Sequence, residues 1–402
     1  MRRWWRATVS VSLAIAVTAL LLVASALSNT SDRSSSAAVE PVTNGGEKWR
    51  IGYAETDPYG NFAGTLHGLV LGLERLGWIS GIEGLPYTPG QDDSTEMWRW
   101  LSSRDVGAYI EFVADAHYSF ARNEEQVEHN IVSRLGGDSD IDLMLVMGTL
   151  AGTKVATTRH QVPTLVFSSS NAVRSGIIQS SEDSGYDHIW AHMDPDRYVR
   201  QVDVFHDIFE FKKLGIVYEN SELGRVYAAV DDVQAFADQR GVELISRYVD
   251  EPKTDEQFDR YYEQLTAAYS ELAGQVDAMY VTLGLWDLQR LPELLKPFHD
   301  KGIPVFSQLG PEEVAYGALL SLGRPNFEGT GRFGADTIAR VLSGTSPREL
   351  EQVYGETPSI VVNLEVADLI GYRIPFDILL VADEIVAAVN RGEPQTEQEG
   401  EM

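Results

Sequence analysis

The sequence predicts an α/β fold of two lobes, each built from a parallel sheet flanked by helices. Short continuous apolar runs, such as 143–147 and 164–167, have the length of strands that are buried on both faces. Segments with apolar residues at helical spacing alternate with these runs through both halves of the chain, which is the pattern of parallel strands and their crossover helices. The irregular segment 172–195 has turn formers and no period, so we expect a crossing between lobes there.

The first half of the chain shows the alternation clearly. Apolar residues recur at helical spacing from Phe62 to Leu76, and Gly77 then ends this predicted helix. The segment 150–160 lies between two buried runs and has the length of a crossover helix. We predict strands at 49–54, 108–113, 143–147 and 164–167, and helices at 62–76, 97–101, 123–135 and 150–160.

The second half repeats the pattern. Gly241 and Gly302 each follow a segment with helical spacing, as expected of residues that end a helix. We predict helices at 196–211, 226–240, 255–273, 287–301, 332–342, 364–370 and 376–389, and strands at 214–218, 242–249, 278–282, 304–306, 315–322 and 359–362.

These elements define the expected domain organisation. The first lobe is assigned to 48–171 and the second to 196–310. The elements after residue 310 resume the alternation, and we expect part of 315–345 to return to the first lobe and part of 355–390 to the second.

Both ends of the chain have a different composition. Residues 1–26 are predicted to be a signal peptide or a membrane anchor, because arginines precede an apolar run and Ala24-Ser25-Ala26 has the form of a cleavage site. Residues 27–47 are expected to be a flexible linker and 391–402 an acidic, disordered tail. We therefore expect the lobes in the periplasm or another extracytoplasmic space, with residues 7–27 as an anchor if the signal is not cleaved.

Composition excludes several classes of protein. The formal net charge of the 402 residues is −28, and such a surface repels nucleic acids and anionic lipids. There are no cysteines, which excludes disulfides, thiolate metal sites, a cysteine nucleophile and a lipid-modified N-terminal cysteine.

Three local motifs suggest cofactors, and we interpret each as structural. Gly329-Thr-Gly331-Arg-Phe-Gly334 fits G-x-G-x-x-G, but it does not directly follow a strand, so we interpret it as a glycine-rich lead into a helix. The segment 148–154, GTLAGTK, is one residue short of a phosphate-binding loop. His188 and His192 lack an evident further ligand, and we interpret them as hydrogen-bonded structural histidines. We predict no cofactor, no metal and no catalytic residue.

Polar side chains follow the predicted strands of the first lobe. Thr149 follows strand 143–147, and the segment 168–171 (Ser-Ser-Ser-Asn) follows strand 164–167. Ligands of open α/β sheets bind at the carboxyl ends of the strands, where helix N-termini favour a carboxylate. Tyr59 and Trp286 also follow predicted strands, one in each lobe, and suit a ligand with a flat or apolar part. The alternative is that they pack the lobe interface.

Seven segments in order resemble ABC transporter substrate-binding proteins of the type I periplasmic fold, in the group that includes tryptophan- and tyrosine-binding members. The resemblance covers roughly residues 48–390, and the order and spacing of the strand ends carry it. The segments are IGYAETDPYGNFAGTLHGLVLGLERLGWI, LMLVMGTLAGTKVA, VPTLVFSSSN, KLGIVYENSELGRVYA, DAMYVTLGLWDLQRLPELLKPFHDKGIPVFSQLG, AYGALLSLG and IVVNLEVADLIGYRIPFDILLVADEIV.

The resemblance implies two Rossmann-like lobes joined by a hinge, which close on a small molecule and deliver it to a permease in the membrane without altering it. It also implies which loops contact the ligand, and we expect the protein to be a monomer. By position, the implied ligand-binding residues are Tyr59, Thr149, Ser168, Ser169, Ser170 and Asn171 in the first lobe and Asn220, Trp286 and Gln308 in the second.

The hypothesis is therefore an extracytoplasmic solute-binding protein of an ABC import system, not an enzyme. Its expected ligand is an amino acid or a related carboxylate, with aromatic ones included. Two alternatives stay open. The lobes could be the ligand-sensing ectodomain of a membrane-anchored receptor, or an extracytoplasmic enzyme, which would need a base close to Ser168 or Ser169 in the folded protein.

Overall fold

The computed structural model describes residues 39–322, 327–355 and 359–391. The predicted signal peptide or anchor, residues 27–38 of the predicted linker and nearly all of the predicted acidic tail lie outside these ranges. Within the described ranges, no helix is both long enough and apolar enough to span a bilayer.

The described chain divides into two compact units. The first unit contains residues 39–197 and 327–355, and the second contains 198–322 and 359–391. Each unit is therefore assembled from segments that are distant in the sequence.

The first unit contains a parallel sheet of five strands in the order β2-β1-β3-β4-β5. The central strands are buried on both faces, since Leu145 belongs to one apolar core cluster and Val146 to another. This is why their sequences are continuously apolar. The strands are β1 (Trp49–Glu55), β2 (Ile110–Ser119), β3 (Leu143–Met147), β4 (Thr164–Phe167) and β5 (Ile189–Ala191).

Five helices flank this sheet, and two of them pack unusually closely. A Cβ added to Gly64 would lie 2.6 Å from the ring of Phe327, and one added to Gly68 or Gly331 would overlap backbone of the facing helix. Only glycine permits such an approach. The helices are α1 (Gly60–Arg75), α2 (Thr95–Ser102), α3 (Glu124–Leu135), α4 (Thr149–Val155) and α11 (Phe327–Leu342), with a 3₁₀ turn at Pro347–Glu349.

The second unit contains a sheet of seven strands in the order β12-β11-β10-β9-β8-β6-β7. Its pairings are parallel except that between β10 and β11, which is antiparallel. The strands are β6 (Lys213–Glu219), β7 (Glu243–Val249), β8 (Ala278–Val281), β9 (Val305–Ser307), β10 (Leu320–Ser321), β11 (Val361–Asn363) and β12 (Glu384–Val386).

Helices cover both faces of this second sheet, as its two apolar core clusters show. Short 3₁₀ turns, Asp255–Gln257 and Leu288–Arg290, precede two of these helices. The helices are α5 (Arg197–Phe209), α6 (Glu222–Tyr227), α7 (Val230–Arg240), α8 (Phe258–Leu272), α9 (Leu291–His299), α10 (Pro311–Ala315), α12 (Leu364–Leu369) and α13 (Phe376–Val381). The predicted fold class, two α/β lobes of mainly parallel sheet, is confirmed.

Several predicted elements were wrong in detail. The predicted helix 150–160 is only Thr149–Val155, and the predicted crossing 172–195 contains a fifth strand, β5. The predicted helix 226–240 is two helices, because Ala229 has a left-handed backbone (φ 49°) that breaks the ladder.

Towards the end of the described chain the predicted elements differ more from the observed ones. The predicted strand 315–322 is the end of α10 followed by the two-residue strand β10, and the predicted helix 376–389 is α13 followed by strand β12. The predicted helix 332–342 begins at Phe327, so G-x-G-x-x-G lies inside α11 and is not a lead into it. Its glycines provide the close contact with α1.

Candidate functional site

The carboxyl edge of the first sheet collects the polar residues that follow its strands. The Cα of Glu55 pairs with that of Met147, and Met147 pairs with Phe167, so strands β1, β3 and β4 end side by side. Thr149 and Ser168 lie just beyond these ends, on neighbouring loops. The parallel register thus brings together groups that the sequence separates.

Thr149 is buried at the start of α4, and its Oγ1 accepts a hydrogen bond of 3.0 Å from the Ser170 backbone N–H. Thr56 Oγ1 similarly accepts a bond of 3.1 Å from the Ala151 N–H. Gly148 joins strand to helix at φ 91°, and a Cβ there would lie 2.5 Å from Thr56 Oγ1. The loops after β1, β3 and β4 are therefore tied to one another. The Thr149 hydroxyl makes one of the hydrogen bonds that link them.

The segment 168–171 has a constrained backbone. Ser168 lies in the left-handed region at φ 53°, and its Oγ is 2.9 Å from Thr65 Oγ1 on α1. Asn171 Oδ1 accepts a bond of 3.0 Å from the Arg174 N–H, which closes a turn. Ser169 Oγ differs, because it is buried and has no hydrogen-bond partner among the described residues. Buried polar atoms are normally paired, so this hydroxyl is available for a further hydrogen bond.

Tyr59 caps α1 and lies half-buried against the apolar core of the first unit. Its ring contacts Phe62 edge to face at a centroid distance of 5.2 Å, and Phe62 in turn lies against Gly148. Tyr59 is therefore joined to the strand-end loops through one intervening ring.

The second unit presents three of the sequence-predicted site residues. Asn220 is exposed directly after β6, and its N–H donates to Val249 O at 2.9 Å. Trp286 is half-buried against the core of this unit. The side chain of Gln308 is buried, accepts from the Leu283 N–H and donates to Tyr227 O, each at 2.8 Å. Gln308 therefore organises the loop that precedes Trp286.

The sequence analysis missed a buried polar cluster at the end of β1, in the first unit. Glu55, the last residue of β1, is 1% exposed; its Oε2 accepts from the Tyr53 hydroxyl at 2.7 Å and from Ser94 Oγ at 2.8 Å. Ser94 Oγ is also 2.9 Å from His117 Nε2. Burial raises the pKa of Glu55 to about 7 and lowers the pKa of His117 to about 4. In neutral solution His117 is thus uncharged, and the carboxyl group of Glu55 is about half protonated.

The second unit has a counterpart at the end of β6. Glu219 is buried, and its Oε1 accepts from the Tyr261 hydroxyl at 2.7 Å and from the Leu285 N–H at 2.9 Å. Burial raises its pKa above the usual value. The signal for both acids is an acidic residue that ends an otherwise apolar strand, RIGYAE in one case and LGIVYE in the other.

The histidines considered as metal ligands bind backbone instead. His188 Nε2 lies 3.0 Å from Thr157 O, and His192 Nε2 lies 3.0 Å from Tyr354 O. Within the described ranges, no group of three His, Cys, Asp or Glu side chains is placed to hold a metal ion.

Two sheets with hydroxyl, amide and aromatic groups beyond their carboxyl edges are typical of proteins that bind a small solute. The sequence model of the family described as ABC transporter substrate binding protein matches residues 111–386, more than half of the chain. The chain therefore belongs to this family, which confirms the resemblance seen in the sequence.

Curated and solved relatives agree with this assignment. The tyrosine-binding protein of Clostridioides difficile (strain R20291) is 21% identical over 247 residues, which cover 60% of this chain and 66% of that protein, just under two thirds of its length.

Solved structures of similar fold include an ABC domain from Streptococcus pneumoniae in complex with L-Trp, with a TM-score of 0.60 and 16% identity, covering 84% of this chain and 100% of that one. A ligand-free, open substrate-binding protein with adhesive properties from Clostridium difficile has a TM-score of 0.60 and 18% identity, covering 85% and 100%. At these identities the likeness shows a shared fold.

Proposed function

We propose that the protein is the extracytoplasmic solute-binding component of an ABC import system, and that it binds an amino acid or a related small carboxylate. Membership of the substrate-binding family supports the class of protein. The relatives named for tyrosine and L-Trp support an amino-acid ligand and favour aromatic ones. A monomer that passes its solute to a membrane permease is part of the same proposal.

The observation that carries the ligand chemistry is the Ser169 hydroxyl. It is buried, lacks a partner among the described residues, and lies one residue beyond the constrained Ser168. A carboxylate oxygen would accept its hydrogen bond, with the Ser168 and Ser170 hydroxyls and the N–H groups at Thr149 as further donors. At the edge of the first sheet the proposed site offers hydrogen-bond donors, which suit an anionic group of the solute.

In the proposal, the remaining predicted residues serve recognition of the side chain. Tyr59 and Trp286 present aromatic surface after strands of the two units, and Asn171, Asn220 and Gln308 provide polar contacts or hold the loops. Lobe closure on the solute, as the family resemblance implies, would bring the two sets onto one ligand.

A binding role is also favoured over catalysis by the surroundings of the serines. Ser169 Oγ has no hydrogen bond to a basic side chain in the described part of the chain, whereas a serine nucleophile needs an adjacent general base.

Isothermal titration calorimetry with the twenty amino acids tests the proposal. We expect at least one to bind with a dissociation constant in the micromolar range or below, and Ser169→Ala to weaken it about tenfold. Asn130→Ala, an exposed change on α3, is the matched control and should bind as the wild type does. If all twenty give no heat in buffers of different ionisation enthalpy, the amino-acid proposal fails.

A further inference from the structure

We propose that Glu55 receives the ammonium group of the solute, and that solute binding releases a proton from this carboxyl group. The inference rests on the proposed function, since it assumes a zwitterionic amino acid. It adds a specificity-determining residue that neither the family match nor the sequence motifs assign.

Glu55 is in the right place for this role. Its Cα pairs with that of Met147, only two residues before Thr149, and adjacent strands are about 4.8 Å apart. Glu55 lies on the same face of β1 as Ile51 and Tyr53, which pack in the core cluster that also contains residues of α1. Ser168 Oγ contacts Thr65 on that same helix. The acid and the hydroxyl donors therefore lie beyond the same edge of the sheet, at the ends of β1 and β4, with β3 between them.

The hydrogen bonding of Glu55 is incomplete. Oε2 accepts from Tyr53 and Ser94, whereas Oε1 is buried and has no partner among the described residues. A buried carboxyl oxygen without a donor is costly, and an ammonium N–H is the strongest donor that a solute could supply.

The charges around Glu55 favour a cation. Asp93, before α2, and Asp57, after β1, both act on the carboxyl group as negative charges. From β2, His117 is neutral because its pKa is held at about 4, and from β1 the pKa of the Tyr53 hydroxyl is raised well above its usual value. Arg99 on α2 forms no salt bridge with Glu55, nor does any other basic residue in the described ranges.

The proton balance follows from these surroundings. In the free protein at pH 6 the carboxyl group is mostly protonated, because its pKa is about 7. An ammonium group at Oε1 stabilises the carboxylate and lowers that pKa, so the proton leaves to solvent while the solute keeps its own charge. Close to one proton should be released for each solute bound.

The first experiment compares each amino acid that the wild type binds with its desamino analogue, for example L-tryptophan with indole-3-propionate and L-tyrosine with 3-(4-hydroxyphenyl)propionate. We expect the wild type to prefer the amino acid by roughly tenfold or more and Glu55→Gln to lose most of that preference. Glu313→Gln is the matched control, since Glu313 is also a buried acid, with a pKa of about 8, but lies in the second unit. It should keep the preference.

The second experiment needs no variant. The heat of amino-acid binding is measured at pH 6 in phosphate and in imidazole, whose ionisation enthalpies differ, and the difference gives the number of protons released. We expect a value near one for the amino acid and near zero for its desamino analogue.

A preference for the amino acid that Glu55→Gln retains would overturn the inference, and so would a proton count near zero in the wild type. Both results leave amino-acid binding itself intact. If no amino acid binds the wild type at all, the proposed function fails first and the inference falls with it.

Discussion

The first strands of the two units, β1 and β6, both end in a buried glutamate, but the two glutamates differ in their hydrogen-bond partners. Glu55 and Glu219 are each the last residue of the strand, each is buried, and each accepts a tyrosine hydroxyl at 2.7 Å. In each acid the tyrosine-bonded oxygen accepts a second hydrogen bond, from the backbone N–H of Leu285 for Glu219 and from the side chain of Ser94 for Glu55. The other oxygen of Glu55 is buried and has no partner in the described part of the chain.

The difference shows how one local pattern can serve two purposes. Glu219 holds the backbone that leads to Trp286, so its hydrogen bonds contribute to the shape of a loop. Glu55 bonds only to side chains, Tyr53 and Ser94, and retains an unused acceptor. We therefore assign a structural role to the acid of the second unit and a recognition role to that of the first.

Truncation should separate the two acids most strongly. Glu219→Ala leaves the Tyr261 hydroxyl and the Leu285 N–H without an acceptor, and we expect it to lower the free energy of unfolding by about 3 kcal/mol. Glu55→Ala should cost only about 1–2 kcal/mol, because Ser94 keeps its contact with His117 and a buried acid is removed. Urea denaturation at pH 7 measures both. An equal or larger loss for Glu55→Ala would contradict the comparison.

The pH dependence of stability sharpens the comparison further. The pKa of Glu55 is about 7 in the folded protein against an ordinary value of 4.5, so the folded state binds this proton more tightly. Its contribution is complete below pH 4.5 and is lost as the pH rises through 7, which lowers the free energy of unfolding by about 3–3.5 kcal/mol. The glutamine of Glu55→Gln does not titrate, so this variant does not lose that stability as the pH rises.

We therefore expect the stability of Glu55→Gln, relative to the wild type, to improve between pH 5 and pH 8. Urea midpoints at several pH values check the trend, and the difference between the two proteins removes the contributions of all other titrating groups. Parallel pH profiles would show that Glu55 keeps an ordinary pKa.

The smallest expected effect concerns two hydroxyls at the sheet edges. Thr282 Oγ1 donates to Val217 O at 2.6 Å, so Thr282→Ala should cost about 1 kcal/mol of stability and leave solute affinity unchanged. Ser169→Ala breaks no hydrogen bond within the described protein, and its stability should stay within about 0.5 kcal/mol of the wild type. Thermal unfolding and calorimetric titration distinguish them. A large loss of stability for Ser169→Ala would assign that serine to the fold.

The alternation of elements was predictable because it depends on local patterns. Strands such as β3 and β4 are continuously apolar since both of their faces are buried, and helices such as α1 show one apolar face. The positions of Thr149 and Ser168 just beyond strand ends followed from the same reading.

Other features depend on tertiary partners and have no local signal. The three residues of β5 become a strand only because β4 offers an edge, and the glycines of α11 are explained only by the facing helix. Glu55 was missed for the same reason. An acidic residue at the end of an apolar run marks the position, but only the folded structure shows that Glu55 is buried and that one of its oxygens has no partner among the described residues.

The close pairing of α1 with α11 has a consequence for biosynthesis. Residues 60–75 leave the ribosome early, but the surface that fits their glycines belongs to residues 327–342, near the end of the chain. A nascent chain that lacks α11 leaves that groove of α1 open to water, so the first unit cannot finish folding before residues 198–322 of the second have been translated. Until that point the first unit stays incompletely folded, so its folding is coupled to the synthesis of most of the chain.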